Sequence, residues 1–187
     1  MPESATPNRA SDDSSDEPPH ALTIDWIDRQ SRHRLDGERG IRAARAILSG
    51  AGVQRGSLSL AVVDDAQMHQ LNRIHLNHDY PTDVLSFLLE SNDEGTWLEG
   101  EVIVSADTAC REAEIHGWST QDELLLYVVH GTLHLVGHDD HEDQDRAEMR
   151  RAEAAALAPF GLVPRWPENE NQHDAASGDS MRQDDSR

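Results

Sequence analysis

The segment His130-Gly-Thr-Leu-His134-Leu-Val-Gly137-His138-Asp139-Asp140-His141 constrains this chain more than any other stretch. It closes a run, Leu124 to Val136, that is apolar nearly all round, and a helix of that kind in a globular protein lies in the core. His130 and His134 are four residues apart, so both imidazoles leave one helix face a turn apart and can reach one metal ion. Gly137 follows three residues later, where a helix breaks through positive φ and the chain folds back. A ligand three residues further on then meets the first two. This spacing, His-x3-His-x2-Gly-x2-ligand, is shared with the long zinc motif of metzincin proteases.

The third-ligand position is Asp140. His141, one residue on, is the more usual zinc donor, so spacing favours Asp140 while ligand chemistry favours His141. We take His130, His134 and Asp140 as the set, with His141 as the alternative third ligand. Two histidines, one acid and an open fourth position form a catalytic pattern, and one Zn²⁺ per chain is the expected cofactor. Ni²⁺, Co²⁺ or Mn²⁺ could substitute in vitro. The plainer reading is a pair of core histidines bonded to backbone carbonyls. The four-residue spacing in an otherwise apolar helix, followed by glycine and a His/Asp cluster, argues against it. His138, Asp139 and Glu142 are expected to orient the ligands or shape the loop. His75, His78 and His116 are scattered and read as surface or structural residues.

Zinc proteases carry a Glu directly after the first His as general base. Here that position is Gly131, so a peptidase lacks its base and no other general base is identifiable. Metal-activated water can still attack, and a phosphodiester is an electrophile that a Lewis acid can polarise alone. The residues themselves thus point to a metal-dependent hydrolase.

Around this segment the elements alternate. Ala21–Ile27, Leu58–Val63, Val84–Leu88 and Glu101–Ser105 read as strands, and Gly37–Ala51, Ala66–Leu76, a stretch from Ser105 or Asp107 to His116, and Glu142–Leu157 read as helices besides the apolar one. The order β-α-β-α-β-β-α-α-α predicts one small mixed sheet with helices against it, the last two strands forming an antiparallel pair. Pro81 fixes a turn that Thr82 or Asp83 can hold by side-chain bonds. Residues 1–19 and 165–187 are poor in apolar residues and read as disordered tails, leaving 20–164 as a single domain.

Charge narrows the partners. Of 187 residues, 16 are Lys+Arg and 36 are Asp+Glu, for a net charge of −20. All the basic residues are arginine. Such a field disfavours non-specific polyanion binding at long range, so a nucleic-acid site needs a local basic patch. Residues 29–55 supply one, with seven arginines against Asp36 and Glu38. Arg39, Arg42 and Arg45 are the candidate substrate-binding residues within it, against the plainer reading of a solvated helix face. The longest apolar run, Leu124–Val129, is too short to span a membrane. No apolar h-region precedes the domain and Cys110 is the single cysteine, so a cytoplasmic location is expected.

The run His130-Gly-Thr-Leu-His-Leu-Val-Gly137 resembles the signature of the YbeY family of bacterial rRNA maturation factors. Leu71-Asn72 through Asp79-Tyr-Pro-Thr-Asp-Val-Leu-Ser-Phe87 and Gly100-Glu-Val-Ile-Val-Ser105 resemble its other recognisable segments. The resemblance implies an α+β fold, zincin-like, with a small mixed sheet and a central metal-bearing helix. It implies a single-strand-specific endoribonuclease with one zinc, acting in 16S rRNA 3′-end maturation and ribosome assembly. The partners would be single-stranded rRNA and the small ribosomal subunit, with no membrane, and the protein a monomer or weak oligomer. Two positions depart from the family pattern: Asp140 stands where the third ligand is commonly His, and Leu76 where an Arg often faces the cleft. The competing reading is a non-catalytic ribosome-associated assembly factor whose zinc is structural, or another metal hydrolase.

Overall fold

The computed structural model describes residues 21–75, 79–164 and 166. Strand and helix follow in the expected order: β1 (Leu22–Asp28), α1 (Gly37–Gly50), β2 (Arg55–Val63), α2 (Asp65–His75), β3 (Val84–Ser91), β4 (Trp97–Ser105), α3 (Ala106–His116), α4 (Thr120–Leu135) and α5 (Asp143–Leu157), with a 3-10 turn at Ala158–Phe160. The tails expected at 1–19 and 165–187 lie outside the described residues apart from Trp166, as do Leu76 and His78.

The sheet runs β1-β2-β4-β3. β1 pairs with β2 and β2 with β4 in parallel, and β3 closes one edge against β4 in the antiparallel pair expected of the last two strands. It is an α+β fold built on a small mixed sheet. Alternation sorts the central strands between two faces. Leu58, Leu60 and Val62 of β2, with Leu98, Val102 and Val104 of β4, pack with Leu48 of α1 and Leu124, Val128 and Leu135 of α4. Ala61, Val63 and Ile103 turn the other way, onto Met68 of α2.

Helix α4 explains the apolar run. One side meets the sheet, and the opposite side, through Leu125, Val129 and Leu133, meets Ala43 of α1 and Met149 and Leu157 of α5. It is capped by Ser119, whose side chain accepts from Asp122 N, which satisfies one of the open amides of the first turn. Ser105 caps α3 in the same way, and that helix ends at Gly117 with φ 69°.

The turn before β3 is pinned from two sides. Asn72, fully buried, donates its side-chain amide to the Tyr80 carbonyl at 2.7 Å. The Asp83 carboxylate accepts from Thr82 Oγ1 at 3.0 Å and from Val84 N at 2.9 Å, and its carbonyl accepts from Ser105 N at 2.8 Å. The Pro81–Asp83 corner is thereby fixed at the mouth of a cleft bounded by α3, α4 and α5.

Candidate metal centre

Two consecutive turns of α4 carry His130 and His134, and the break after the helix brings Asp140 to them. Gly137 has φ 93°, a conformation glycine adopts without the Cβ penalty. The His138 N–H closes back on the Leu133 carbonyl at 3.1 Å. Asp139 Oδ1 then accepts from Asp140 N at 2.7 Å, which holds the returning strand of loop in place. His130 Nε2 lies 3.8 Å from Asp140 Oδ2, and His134 Nε2 lies 3.9 Å from Asp140 Oδ1.

The ring nitrogens facing away from this point are both occupied. His130 Nδ1 is 2.7 Å from the Glu153 carboxylate, and His134 Nδ1 is 2.9 Å from the carbonyl of His138. Each partner only accepts, so each Nδ1 carries a proton and Nε2 is the nitrogen turned inward. The two Nε2 atoms are 3.0 Å apart. Two imidazole nitrogens and a carboxylate that face one point can share a cation there. The spacing is near the roughly 3.3 Å expected between two donors at about 2.05 Å on a tetrahedral zinc. The residues present therefore fit the implied metal.

Electrostatics treat the two imidazoles differently. Burial disfavours charge on His130, but the hydrogen bond and negative charge of Glu153 outweigh it and hold its pKa above that of a free imidazole. Burial, and then the proximity of His130, push the pKa of His134 down. The hydrogen bond from Asp140 N holds the Asp139 carboxyl below its usual range.

The positions first read from sequence fall into two groups. His130, His134 and Asp140 come together with donor atoms within 4.8 Å of one another. His141 is 86% exposed and pairs with Asp139 at 3.6 Å; it forms a second, overlapping set with Asp139 and Asp140. Arg39, Arg42 and Arg45 are not brought to the cleft. Arg39 pairs with Asp122 at 2.8 Å, Arg45 donates to the Leu22 carbonyl, and the guanidinium groups of Arg39 and Arg42 lie over the Phe160 ring. The arginines lining the cleft are Arg111, Arg146 and Arg150.

His138 meets His134 through its carbonyl rather than its ring, and Asp139 accepts from the Asp140 amide within the loop. Glu142 is the residue before α5 and makes no side-chain cap. His75 packs at a tilt against Phe87, with ring centroids 5.0 Å apart. His116, read as structural, is tied to the buried carboxylate of Glu123 at 3.0 Å and lines the cleft. Glu153 was not among the sequence candidates. Its one visible signal was a lone acid on the face of α5 that carries Met149 and Leu157, all three buried.

The cleft has a volume of about 580 Å³ and takes in His130, Asp140, Glu153 and the Pro81–Asp83 corner. Among the described residues, no helix is long and apolar enough to cross a membrane.

Comparison with known proteins gives one family. Its sequence profile, described as "Endoribonuclease YbeY", matches residues 26–161. A protein of that name from Rhodopirellula baltica is 44% identical over 146 residues, covering 77% of this chain and 73% of the relative. One from Desulfitobacterium hafniense is 40% identical, covering 76% of this chain and 98% of the relative. One from Geobacter metallireducens is 38% identical, covering 77% and 97%. Among solved structures, the solution structure of a Thermotoga maritima protein superposes with a TM-score of 0.50 at 20% identity, covering 75% of this chain and 91% of that one, and shares the fold. With the profile spanning the domain and relatives of this identity matched over most of their length, the chain belongs to the YbeY family.

Proposed function

We propose that this chain is a zinc-dependent endoribonuclease that cuts single-stranded rRNA, acting in 16S rRNA 3′-end maturation and ribosome assembly in the cytoplasm. The observation that carries the reading is the convergence of His130 Nε2, His134 Nε2 and the Asp140 carboxylate at the wall of an open cleft. Family membership supplies the reaction class: the relatives are named endoribonucleases.

His130, His134 and Asp140 would hold the zinc on a central helix in a zincin-like arrangement, with α4 carrying two of the three donors. Three protein donors leave the coordination shell incomplete, which favours catalysis over a purely structural zinc. When bound, the metal supplies Lewis acidity toward a phosphodiester oxygen and toward water or a 2′-OH. The chain's own residues do the rest. Glu153 and the His138 carbonyl fix the two imidazoles in the tautomer that turns Nε2 inward. Arg146 and Arg150 line the α5 wall, where guanidinium groups can hold the phosphates flanking the scissile bond. Arg39, Arg42 and Arg45 would act only on phosphates beyond the cleft.

Gly131 supports a nuclease over a peptidase. A Cβ there would lie 2.6 Å from Val102 Cγ1 and 2.8 Å from Ser86 Oγ. The position where a zinc protease keeps its Glu is thus packed against the sheet.

The proposed folding unit is 20–164, between acidic tails 1–19 and 165–187, as a monomer or weak oligomer working on the small ribosomal subunit. The test is cleavage of an rRNA 3′-end fragment offered unpaired or annealed to a complementary strand. Cleavage of the unpaired form that falls steeply with salt is expected; equal cleavage of the duplex contradicts the reading.

A further inference from the structure

His130 is held from behind by Glu153, and Glu153 is held in turn by Trp166. The Glu153 side chain is 5% exposed. Its Oε1 lies 2.7 Å from His130 Nδ1, and its Oε2 accepts from Trp166 Nε1 at 3.1 Å. The Trp166 ring is half-buried, lines the cleft, and has the Arg150 guanidinium 5.5 Å from its centroid. Trp166 lies beyond the end of α5 and the turn after it, in the stretch that composition alone assigns to a tail.

We propose that Trp166 is a positioning residue for the metal centre, acting on His130 through Glu153; this rests on His130, His134 and Asp140 being the metal ligands. A buried carboxylate is stable only when its oxygens are hydrogen-bonded. Here each oxygen has a donor, one from the metal-site imidazole and one from the indole. Without the indole N–H, Oε2 is buried and unpaired. The carboxylate then relieves the cost by rotating to share His130 between both oxygens. That rotation loosens its hold on the Nδ1 proton, and with it the orientation and donor strength of Nε2. The C-terminal segment is in this way part of the metal site, although it supplies no ligand.

The experiment is a chelator competition for Zn²⁺ with the full chain, comparing wild type, Trp166→Phe, Glu153→Gln and the double variant, alongside melting of the metal-free proteins. Replacing a residue that bonds directly to a ligand weakens metal about 10–100-fold, so Glu153→Gln should fall in that range. Trp166→Phe keeps an aromatic ring, though a smaller one, and removes the donor one bond further out. It should weaken zinc about 3–10-fold, with little change in metal-free melting. In the Glu153→Gln background, Trp166→Phe should have almost no further effect, because its action runs through the carboxylate. Wild-type affinity in Trp166→Phe overturns the proposal. The same loss in both backgrounds also overturns it, since that would mean packing rather than a relay. A His134→Ala variant that keeps one zinc per chain would overturn the ligand assignment itself, and this inference with it.

Discussion

Gly131 rests directly on Val102, with no room for a side chain between helix α4 and strand β4. Its neighbour in sequence, His130, points into the cleft toward Asp140. Successive residues on a helix are separated by about 100°, so one peptide step passes from close packing against the sheet to the surface of the cleft. The metal centre is thereby mounted on a rigid support, the sheet.

Gly131→Ala should therefore lower stability by about 1–3 kcal/mol, the usual range for forcing atoms into a packed core. Thermal unfolding of the metal-free protein measures this without interference from metal binding. An unchanged melting temperature would mean that α4 can lift off the sheet without cost.

Asp140→Ala should weaken zinc far more than His141→Ala does. Asp140 sits between both imidazoles, whereas His141 is directed into solvent. Chelator competition ranks the two variants, and the reverse order would make His141 the third ligand.

The cleft arginines and the α1 arginines should separate in kinetics. Arg146→Glu with Arg150→Glu should raise KM for RNA and leave zinc content unaltered. Arg39→Glu with Arg42→Glu and Arg45→Glu should act mainly on stability, because it breaks the pair to Asp122 and the bond to Leu22. Steady-state cleavage with melting curves on the same preparations distinguishes them; a larger KM effect from the α1 set would return the substrate path to α1.

Asp65 gives a pH prediction away from the metal. Burial raises its pKa, but bonds from Ser105, Arg111 and Thr108, with the Arg111 charge, outweigh this and leave it below 3.8. A depressed carboxyl pKa stabilises the folded state above the unfolded value, and that stability is lost as pH falls through the folded value. Asp65→Asn should thus be less stable than wild type at pH 7, by about 1–2 kcal/mol, and the gap should narrow as pH falls below the ordinary carboxylate range. Melting of both proteins at pH 7 and near pH 3 tests the sign.

Much of this molecule was legible in its sequence because the signals were local. The apolar character of Leu124–Val136, the caps at Ser105 and Ser119, and the breaks at Gly117 and Gly137 each act within one turn of helix, and the elements fall where those signals put them. The ligand spacing is equally local, set by α4 and one glycine. What was missed is non-local. Glu153 reaches His130 across 23 residues, and Trp166 reaches Glu153 from past the end of α5. A lone acid on a helix face has no pattern that marks it as buried. The arginines of α1 show the converse: a run of charge is visible in sequence, but the partners it meets in the fold, Asp122 and the Leu22 carbonyl, are not.

The most direct measurement of the central claim pairs zinc content with RNA cleavage in one set of nuclease-free preparations: wild type, wild type stripped by chelator and reloaded, and His134→Ala. The account predicts one zinc per chain and cleavage of single-stranded RNA for wild type, loss of both on stripping, recovery of both on reloading, and neither in His134→Ala, whose RNA binding persists. Equal cleavage by wild type and His134→Ala would contradict it.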